Sequence, residues 1–170
     1  MYLANDLIEF ALTLVKHSIT EDGSMCERTP SNDELNTFFR GCNSAWPPPL
    51  DEKHQGFQAY DPTVSWCGIF ATYCLIHAGA KVRWIISRGI QDLGSGDIVR
   101  VEGNYGLTRG DIAVRGDSSH HFIVLDPNYD PALGFHCVEG NAGGTSYPLL
   151  RYGYNLRNKL PDVRHYYRVY

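Results

Sequence analysis

The sequence lacks the long apolar run and the basic run that would point to a membrane or to nucleic acid. Its 170 residues contain no stretch near the roughly 18 apolar residues that a membrane-spanning helix needs. Fifteen Lys and Arg against 19 Asp and Glu give a net charge of -4, and the basic residues are scattered. This charge gives no electrostatic basis for binding nucleic acid or anionic lipid. We therefore expect no nucleic-acid partner and no membrane span.

Metal and cofactor motifs are also missing. There is no CxxC pair and no HExxH segment, which are typical spacings of zinc sites. The 7 histidines are dispersed, and no glycine-rich phosphate-binding loop joins a strand to a helix. The odd count of 5 cysteines does not match a disulfide framework. We expect no metal, no cofactor and free thiols, with a Cys26–Cys42 disulfide as the alternative in an oxidising compartment.

The N-terminal segment has the pattern of a helix rather than of a secretion signal. It lacks a basic beginning, and Asp6 and Glu9 interrupt its apolar stretch. Apolar residues at helical spacing predict a helix over residues 2–17. Because no signal peptide is seen, the localisation stays open, and we expect action after signal-independent export or cell lysis.

Two further helices are predicted before the middle of the chain. Ser31 or Asn32 as cap, with acidic residues in the first turn, predicts a short helix over 32–40. Residues 66–78 predict a helix that ends at Gly79. Between them, residues 41–64 contain three consecutive prolines and predict a long loop.

After residue 96 the pattern changes to short β-rich runs separated by turn residues. Helices followed by strands of this spacing predict an α+β fold with an antiparallel sheet. We expect one domain over residues 1–170, with a helical and loop region at 1–60 and a core at 61–170. The predicted strands are 97–101, 111–115, 121–126, 134–139, 147–152 and 164–169.

Cys67 is the candidate nucleophile. With Ser65 as the expected N-cap, Cys67 lies in the first turn of the third helix. The unpaired N–H groups and the helix dipole at that end favour a thiolate, which is the nucleophilic form. The same N–H groups can contribute to an oxyanion hole. The competing interpretation is a buried, inert cysteine, which we assign to Cys74 in the middle of the helix.

The segment HHFIVLD at 120–126 supplies the candidate base. Histidine titrates near neutral pH and suits general-base catalysis. His120 and His121 are neighbours on a predicted strand and point to opposite faces, so we expect at most one to meet the thiol. Periodicity alone does not choose between them, and either is also compatible with an ordinary histidine at a strand end.

Four segments follow one another in a recognisable order: WCGIF at 66–70, RGDIAV at 109–114, HFIVLD at 121–126 and VEGN at 138–141. Together they resemble the CHAP family, the cysteine, histidine-dependent amidohydrolases/peptidases, and the related NlpC-like cell-wall peptidases. The resemblance covers about residues 60–141. It implies a papain-like fold with Cys67 as nucleophile. It also implies His121 as base, because the family's histidine directly precedes the apolar strand.

A third polar group usually orients the histidine of such a pair. Residues two apart on a strand share a face, which places Glu139 with Asn141 and turns His136 away. We expect Glu139 to orient His121, with Asn141 as a second contact to the histidine or the substrate. The two residues are also compatible with exchanged roles, and Asn141 with a turn before two glycines.

Trp66, Tyr60 and Gln58 are candidate substrate contacts. Enzymes of the related families use a polar side chain upstream of the cysteine to help the oxyanion hole or to orient substrate. For Tyr60 an ordinary loop position is the alternative.

The resemblance implies hydrolysis of an amide bond in peptidoglycan, either between sugar and peptide or within the peptide stem. No wall-binding module is seen, which fits a lysin or a delivered antibacterial effector with an immunity protein as inhibitor. One alternative keeps the thiol chemistry in a protein-directed protease, deamidase or transglutaminase-like toxin. The other is a binding module with a relic site.

Overall fold

The computed structural model describes residues 3–15, 26–42, 59–85, 88–116, 120–142 and 148–170. Within this part of the chain, three helices come first and most strands follow. The helices are α1 Leu3–Val15, α2 Asn32–Gly41 and α3 Cys67–His77. The strands are β1 Cys26–Arg28, β2 Val82–Ile85, β3 Gly89–Asp92, β4 Ile98–Glu102, β5 Ile112–Arg115, β6 His120–Asp130, β7 Gly134–Gly140, β8 Leu150–Asn155 and β9 Val163–Val169.

Seven of the described strands form one sheet in the order β1-β8-β7-β6-β5-β9-β4. Every neighbouring pair in it is antiparallel. β2 and β3 form a separate antiparallel hairpin. The α+β class predicted from the sequence is confirmed, and the six predicted strands correspond to β4–β9 with ends displaced by a few residues.

Local sequence signals explain two of the helices. Ser31 caps α2 through its side chain, which accepts from the backbone N–H of Glu34, while the Glu34 side chain accepts from the Ser31 N–H. This reciprocal capping box satisfies two N–H groups that the helix end leaves open. α3 is apolar on nearly all sides, and it is buried from Cys67 to Leu75. An all-round apolar helix belongs inside the core.

The sheet separates two clusters of buried side chains. The helix-facing cluster contains Ile112, Val114, Ile123 and Val138 together with residues of all three helices. The opposite face carries a smaller cluster that includes Ala113, Phe122, Val124, Phe135 and Cys137. Side chains alternate along β5, β6 and β7 as the pleat requires. Along each of these strands, every second residue therefore belongs to the same cluster.

The N-terminal region belongs to the same packed unit as the rest of the described chain. α1 contacts α3 and β8, α2 contacts α3, and β1 extends the sheet beside β8. The buried side of α1 consists of Leu7, Ile8, Ala11 and Val15, which recur at helical spacing.

The sequence did not predict β1, β2 or β3. Each has only three or four residues, and so short a run shows too little periodicity to identify a strand. Their strand form comes from their partners: β1 pairs with β8, and β2 with β3.

Gly134 begins β7 with a φ of +85°, and a Cβ there would collide with the backbone carbonyl of Asn155. We expect Gly134→Ala to lower the free energy of unfolding by about 2 kcal/mol or more, measured by chemical denaturation. Gly94 is the matched control, because its φ is +88° but nothing lies within 4 Å of an added Cβ. Gly94→Ala is expected to cost only about 1 kcal/mol of backbone strain. Equal losses in the two variants would contradict the collision.

Candidate active site

Cys67 is the first residue of α3, where the sequence placed it. The N-cap is Trp66, with φ -104° and ψ 8° and no side-chain cap hydrogen bond, so the prediction of Ser65 as the cap is wrong. The Ser65 hydroxyl instead lies 3.5 Å from the sulfur of Cys67. The side chain of Trp66 does not cap the first turn, and the thiol lies at the positive end of the helix dipole.

The thiol of Cys67 lies against His121, and His120 also acts on it. Its Sγ lies 3.7 Å from Nδ1 of His121, and interaction with the side chain of His120 lowers the pKa of the thiol. Both neighbours therefore influence the thiol, although the sequence predicted that only one would meet it. His120 is the first residue of β6. A side chain at the end of a strand can reach around the edge of the sheet to the other face, whereas a side chain in the interior of the strand cannot.

The carboxylate of Glu139 binds His120, whereas the sequence predicted that it orients His121. Nε2 of His120 donates to Oε2 of Glu139 at 2.5 Å. The reason is parity. Glu139 lies on the face of Cys137, away from the helices, and the residue next to it on the helix-facing side is Gly140. A Cβ at Gly140 would collide with Trp66 and Phe70, which leaves no room for a side chain beside His121.

Two asparagines that the sequence analysis missed hold Glu139 in place. Nδ2 of Asn155 donates to Oε1 at 2.5 Å, and Nδ2 of Asn158 donates to Oε2 at 2.9 Å. Glu139 and Asn158 have no exposed surface and Asn155 is 6 % exposed. A buried charge needs such partners, because it has lost its hydration. No sequence motif marks these two residues. Asn155 is the last residue of β8, and Asn158 lies in the segment that follows it.

The contacts shift the pKa values of all three groups toward the charged forms. Burial raises the pKa of Cys67, but hydrogen bonds and charge from His120 and His121 outweigh it and hold that pKa well below its ordinary value. Burial opposes the charge on His120 too, yet Cys67 and Glu139 raise its pKa to about 9. Against its burial, His120 and the two asparagines lower the pKa of Glu139. These shifts favour the thiolate of Cys67, the imidazolium of His120 and the carboxylate of Glu139.

Three other cysteines differ from Cys67 because their pKa values are raised. All five cysteines are buried, and no disulfide joins Cys26 to Cys42. Burial raises the pKa of Cys42 to about 12 and raises that of Cys74 well above its ordinary value. Burial and the nearby charge of Glu139 likewise raise the pKa of Cys137. These three thiols have no thiolate character.

Among the described residues, Asn141 hydrogen-bonds to neither histidine. It follows β7 with a φ of +59°, in the left-handed region, so the strand alternation that would place it beside Glu139 has ended. Its Nδ2 lies 3.5 Å from the Ser65 hydroxyl, which in turn lies beside the thiol of Cys67. Asn141 is therefore a neighbour of the site through Ser65.

The three predicted substrate contacts fall in different places. Trp66 is only 2 % exposed and its ring stacks on Phe38, so most of it belongs to the core. The Tyr60 ring packs edge-on against Phe39, and the Tyr60 backbone N–H donates to Asn36. Both residues border a cleft that is also lined by His120 and Glu139. Gln58 lies outside the described residues.

Two clefts meet at Ser65, which borders both. The Glu139 cleft, about 320 Å³, is bordered by His120, Glu139 and Asn141. The Cys67 cleft, about 400 Å³, is bordered by Cys67 and His121 and walled by the aromatic rings of Trp84 and Tyr167. Volumes of this size are typical of small-ligand sites. The reactive groups therefore lie between two spaces that can receive the two sides of a substrate.

His121 lies in an aromatic wall rather than in a polar network. The ring of Trp84 meets it edge-on at 5.2 Å between centroids, and Tyr167 stacks on it at 6.4 Å. Among the described residues its side-chain hydrogen bond goes to Cys67.

The described residues contain no group of three or more His, Cys, Asp or Glu side chains arranged to hold a metal ion. In the same part of the chain, no helix is both long enough and apolar enough to cross a membrane. Comparison of the chain with protein-family models, with curated proteins and with solved structures gives no match.

Proposed function

We propose that this chain is a cysteine amidohydrolase or peptidase in which Cys67 is the nucleophile and His120 is the acid–base residue. The observation that carries the proposal is the hydrogen bond of His120 to the buried carboxylate of Glu139, together with the interaction of His120 that lowers the pKa of the Cys67 thiol. Nucleophile, base and orienting acid in hydrogen-bond contact are the common arrangement of covalent amide hydrolysis. His121 also lies against the thiol.

The choice of His120 over His121 rests on the carboxylate. An acid–base histidine works best when another group fixes its ring and stabilises its charged form. Glu139 does both for His120, with its own oxygens fixed by Asn155 and Asn158. His121 has aromatic neighbours in the corresponding places. We therefore assign the acid–base role to His120 rather than to His121, which the sequence pattern selected.

The chemistry follows from these positions. The thiolate of Cys67 attacks the carbonyl carbon of the amide and forms a C–S bond, while the carbonyl oxygen takes the negative charge. The positive end of the α3 dipole, where Cys67 lies, favours that negative charge. The imidazolium of His120 gives its proton to the leaving nitrogen as the C–N bond breaks, which leaves a thioester. Water then attacks the thioester, His120 takes its proton, and the acid and the free thiolate are released.

Two features extend the proposal to a papain-like site acting on peptidoglycan. The first is architectural, because a helix that begins at the thiol packs on an antiparallel sheet that carries the histidines. The second is the resemblance of the motifs at 66–70, 109–114, 121–126 and 138–141 to the CHAP and NlpC-like families. The fold class alone does not give a substrate, since one fold serves many reactions.

Digestion of purified peptidoglycan tests this function, beside a panel of unfolded proteins as the alternative substrate. We expect soluble fragments whose masses show hydrolysis of one type of amide bond, and no release by the Cys67→Ala protein. Cleavage of the protein panel alone would move the substrate class to proteins and keep the chemistry. Absence of thiol-dependent cleavage in both would contradict the proposed function.

A further inference from the structure

The Cys67 cleft carries a concentration of positive charge in a protein whose net charge is -4. Three arginines border it together with the nucleophile, and the described residues that border it include no Asp or Glu. The arginines are Arg88, Arg100 and Arg164. They come from the β2–β3 hairpin, β4 and β9, so folding brings together charges that are scattered in the sequence.

Among the described residues, most of this charge has no carboxylate partner. Arg100 pairs with Glu102 at 2.8 Å, but both side chains are largely exposed, and such surface pairs are weak. Neither Arg88 nor Arg164 has a carboxylate partner among the described residues. A cleft lined with one sign of charge raises the local concentration of the opposite charge.

His165, which also borders this cleft, reports the same field. Its pKa is lowered to about 4, first by burial and then by the charge of Arg100, with further contributions from His121 and Arg164 against the opposing carboxylate of Glu102. A histidine held neutral in this way adds no charge of its own near pH 7. The positive charge that acts on His165 therefore comes from Arg100 and Arg164 together with His121.

We propose that the Cys67 cleft binds a carboxylate of the substrate close to the bond that is cleaved, so that the preferred substrates are acidic peptides. The inference deepens the proposed function and rests on it. Arginine side chains recognise carboxylates by paired, charge-assisted hydrogen bonds. In a peptide, the carboxylate is either an acidic side chain or the free C-terminus. Both have the same chemistry, and the closing experiment distinguishes them.

The first measurement uses two alkylating reagents of similar size, anionic iodoacetate and neutral iodoacetamide. We expect the ratio of their rates at Cys67 to exceed the same ratio for glutathione. Arg88→Gln and Arg164→Gln are each expected to lower it about threefold at low salt, the size of one charge at several ångströms in water. Lys81→Gln removes a charge that does not border the cleft and is expected to leave the ratio unchanged.

The second measurement does not require a reactive thiol. The Cys67→Ala protein is titrated with a synthetic peptide containing one glutamate, with its glutamine counterpart, and with both peptides amidated at the C-terminus. We expect tighter binding of whichever form carries the recognised carboxylate, by about tenfold, and loss of that preference in the Arg88→Gln, Arg164→Gln background. Loss on Glu→Gln identifies a side-chain carboxylate, and loss on amidation identifies the C-terminus.

Equal binding of all four peptides would overturn the inference, including when the small reagents show a charge effect, because the cleft would then attract anions without holding a substrate carboxylate. Failure of the proposed function has a different signature. In that case Cys67 reacts slowly with both reagents, while the peptide titration still reports on the cleft.

Discussion

Replacement of Cys67 by alanine is expected to lower turnover by about 10⁴-fold or more, because the covalent step has no other nucleophile. The fold is expected to persist, since the change removes one sulfur from a side chain that is 2 % exposed and leaves the pair of His120 and Glu139 intact. Turnover is measured on the substrate that the digestion experiment identifies, and folding by circular dichroism and thermal unfolding.

Cys74→Ala is the matched control for this variant. Cys74 lies on the same helix and is buried, but burial raises its pKa and it borders neither of the two clefts. Its replacement is expected to leave turnover per folded molecule within about twofold of the parent. Full turnover in Cys67→Ala, or its loss in folded Cys74→Ala, would exclude the assignment of the nucleophile.

Replacement of His120 by alanine is expected to lower kcat by at least about 100-fold, the usual contribution of a positioned acid–base group. His121→Ala is expected to have the smaller effect, about tenfold, because it removes one of the two imidazoles that act on the thiol but leaves the carboxylate-bound imidazole. The two variants change neighbouring residues of one strand, so each serves as the control for the other. The reverse order of effects would return the acid–base role to His121, as the sequence pattern predicts.

Glu139→Gln tests the same arrangement through the pH profile. The pKa of His120 is about 9 in the folded protein, so the imidazolium is present below that pH and is lost as the pH rises through it. We expect the alkaline limb of the kcat/KM profile near pH 9, and a shift of that limb to lower pH in Glu139→Gln, because a neutral amide no longer favours the imidazolium. An unshifted limb would show that Glu139 does not govern the acid–base group. Because the Cys67 thiolate contributes to the same pKa, the limb belongs to the coupled pair rather than to one residue.

Much of the architecture was visible in the sequence because local signals and tertiary packing agree. The cap at Ser31, the apolar spacing of α1 and the apolar α3 each predicted a helix, and the structure contains all three. Cys67 was singled out because a helix start has a local signature. Short elements such as β1 escaped prediction, because they exist only through pairing with a distant strand.

The details of the site depend on three-dimensional relations that a sequence pattern does not carry. The pattern selected His121 from its place before the apolar strand, but the carboxylate reaches His120, because Glu139 lies on the opposite face and Gly140 leaves no side chain beside His121. The asparagines that fix Glu139 lie beyond the end of a different strand. Strand alternation puts Glu139 on the face of Cys137, but the prediction that it also holds for Asn141 failed, because the backbone turns into the left-handed region there.

The central claim is that Cys67 is a thiolate in an accessible cleft, and site-resolved alkylation of the native protein tests it most directly. The protein is treated briefly with iodoacetamide at pH 5.5, and peptide mass spectrometry gives the extent of modification at each cysteine. We predict that Cys67 reacts at least about tenfold faster than Cys42, Cys74 or Cys137, whose pKa values are raised. Equal, slow reaction of Cys67 and these three cysteines would contradict the account.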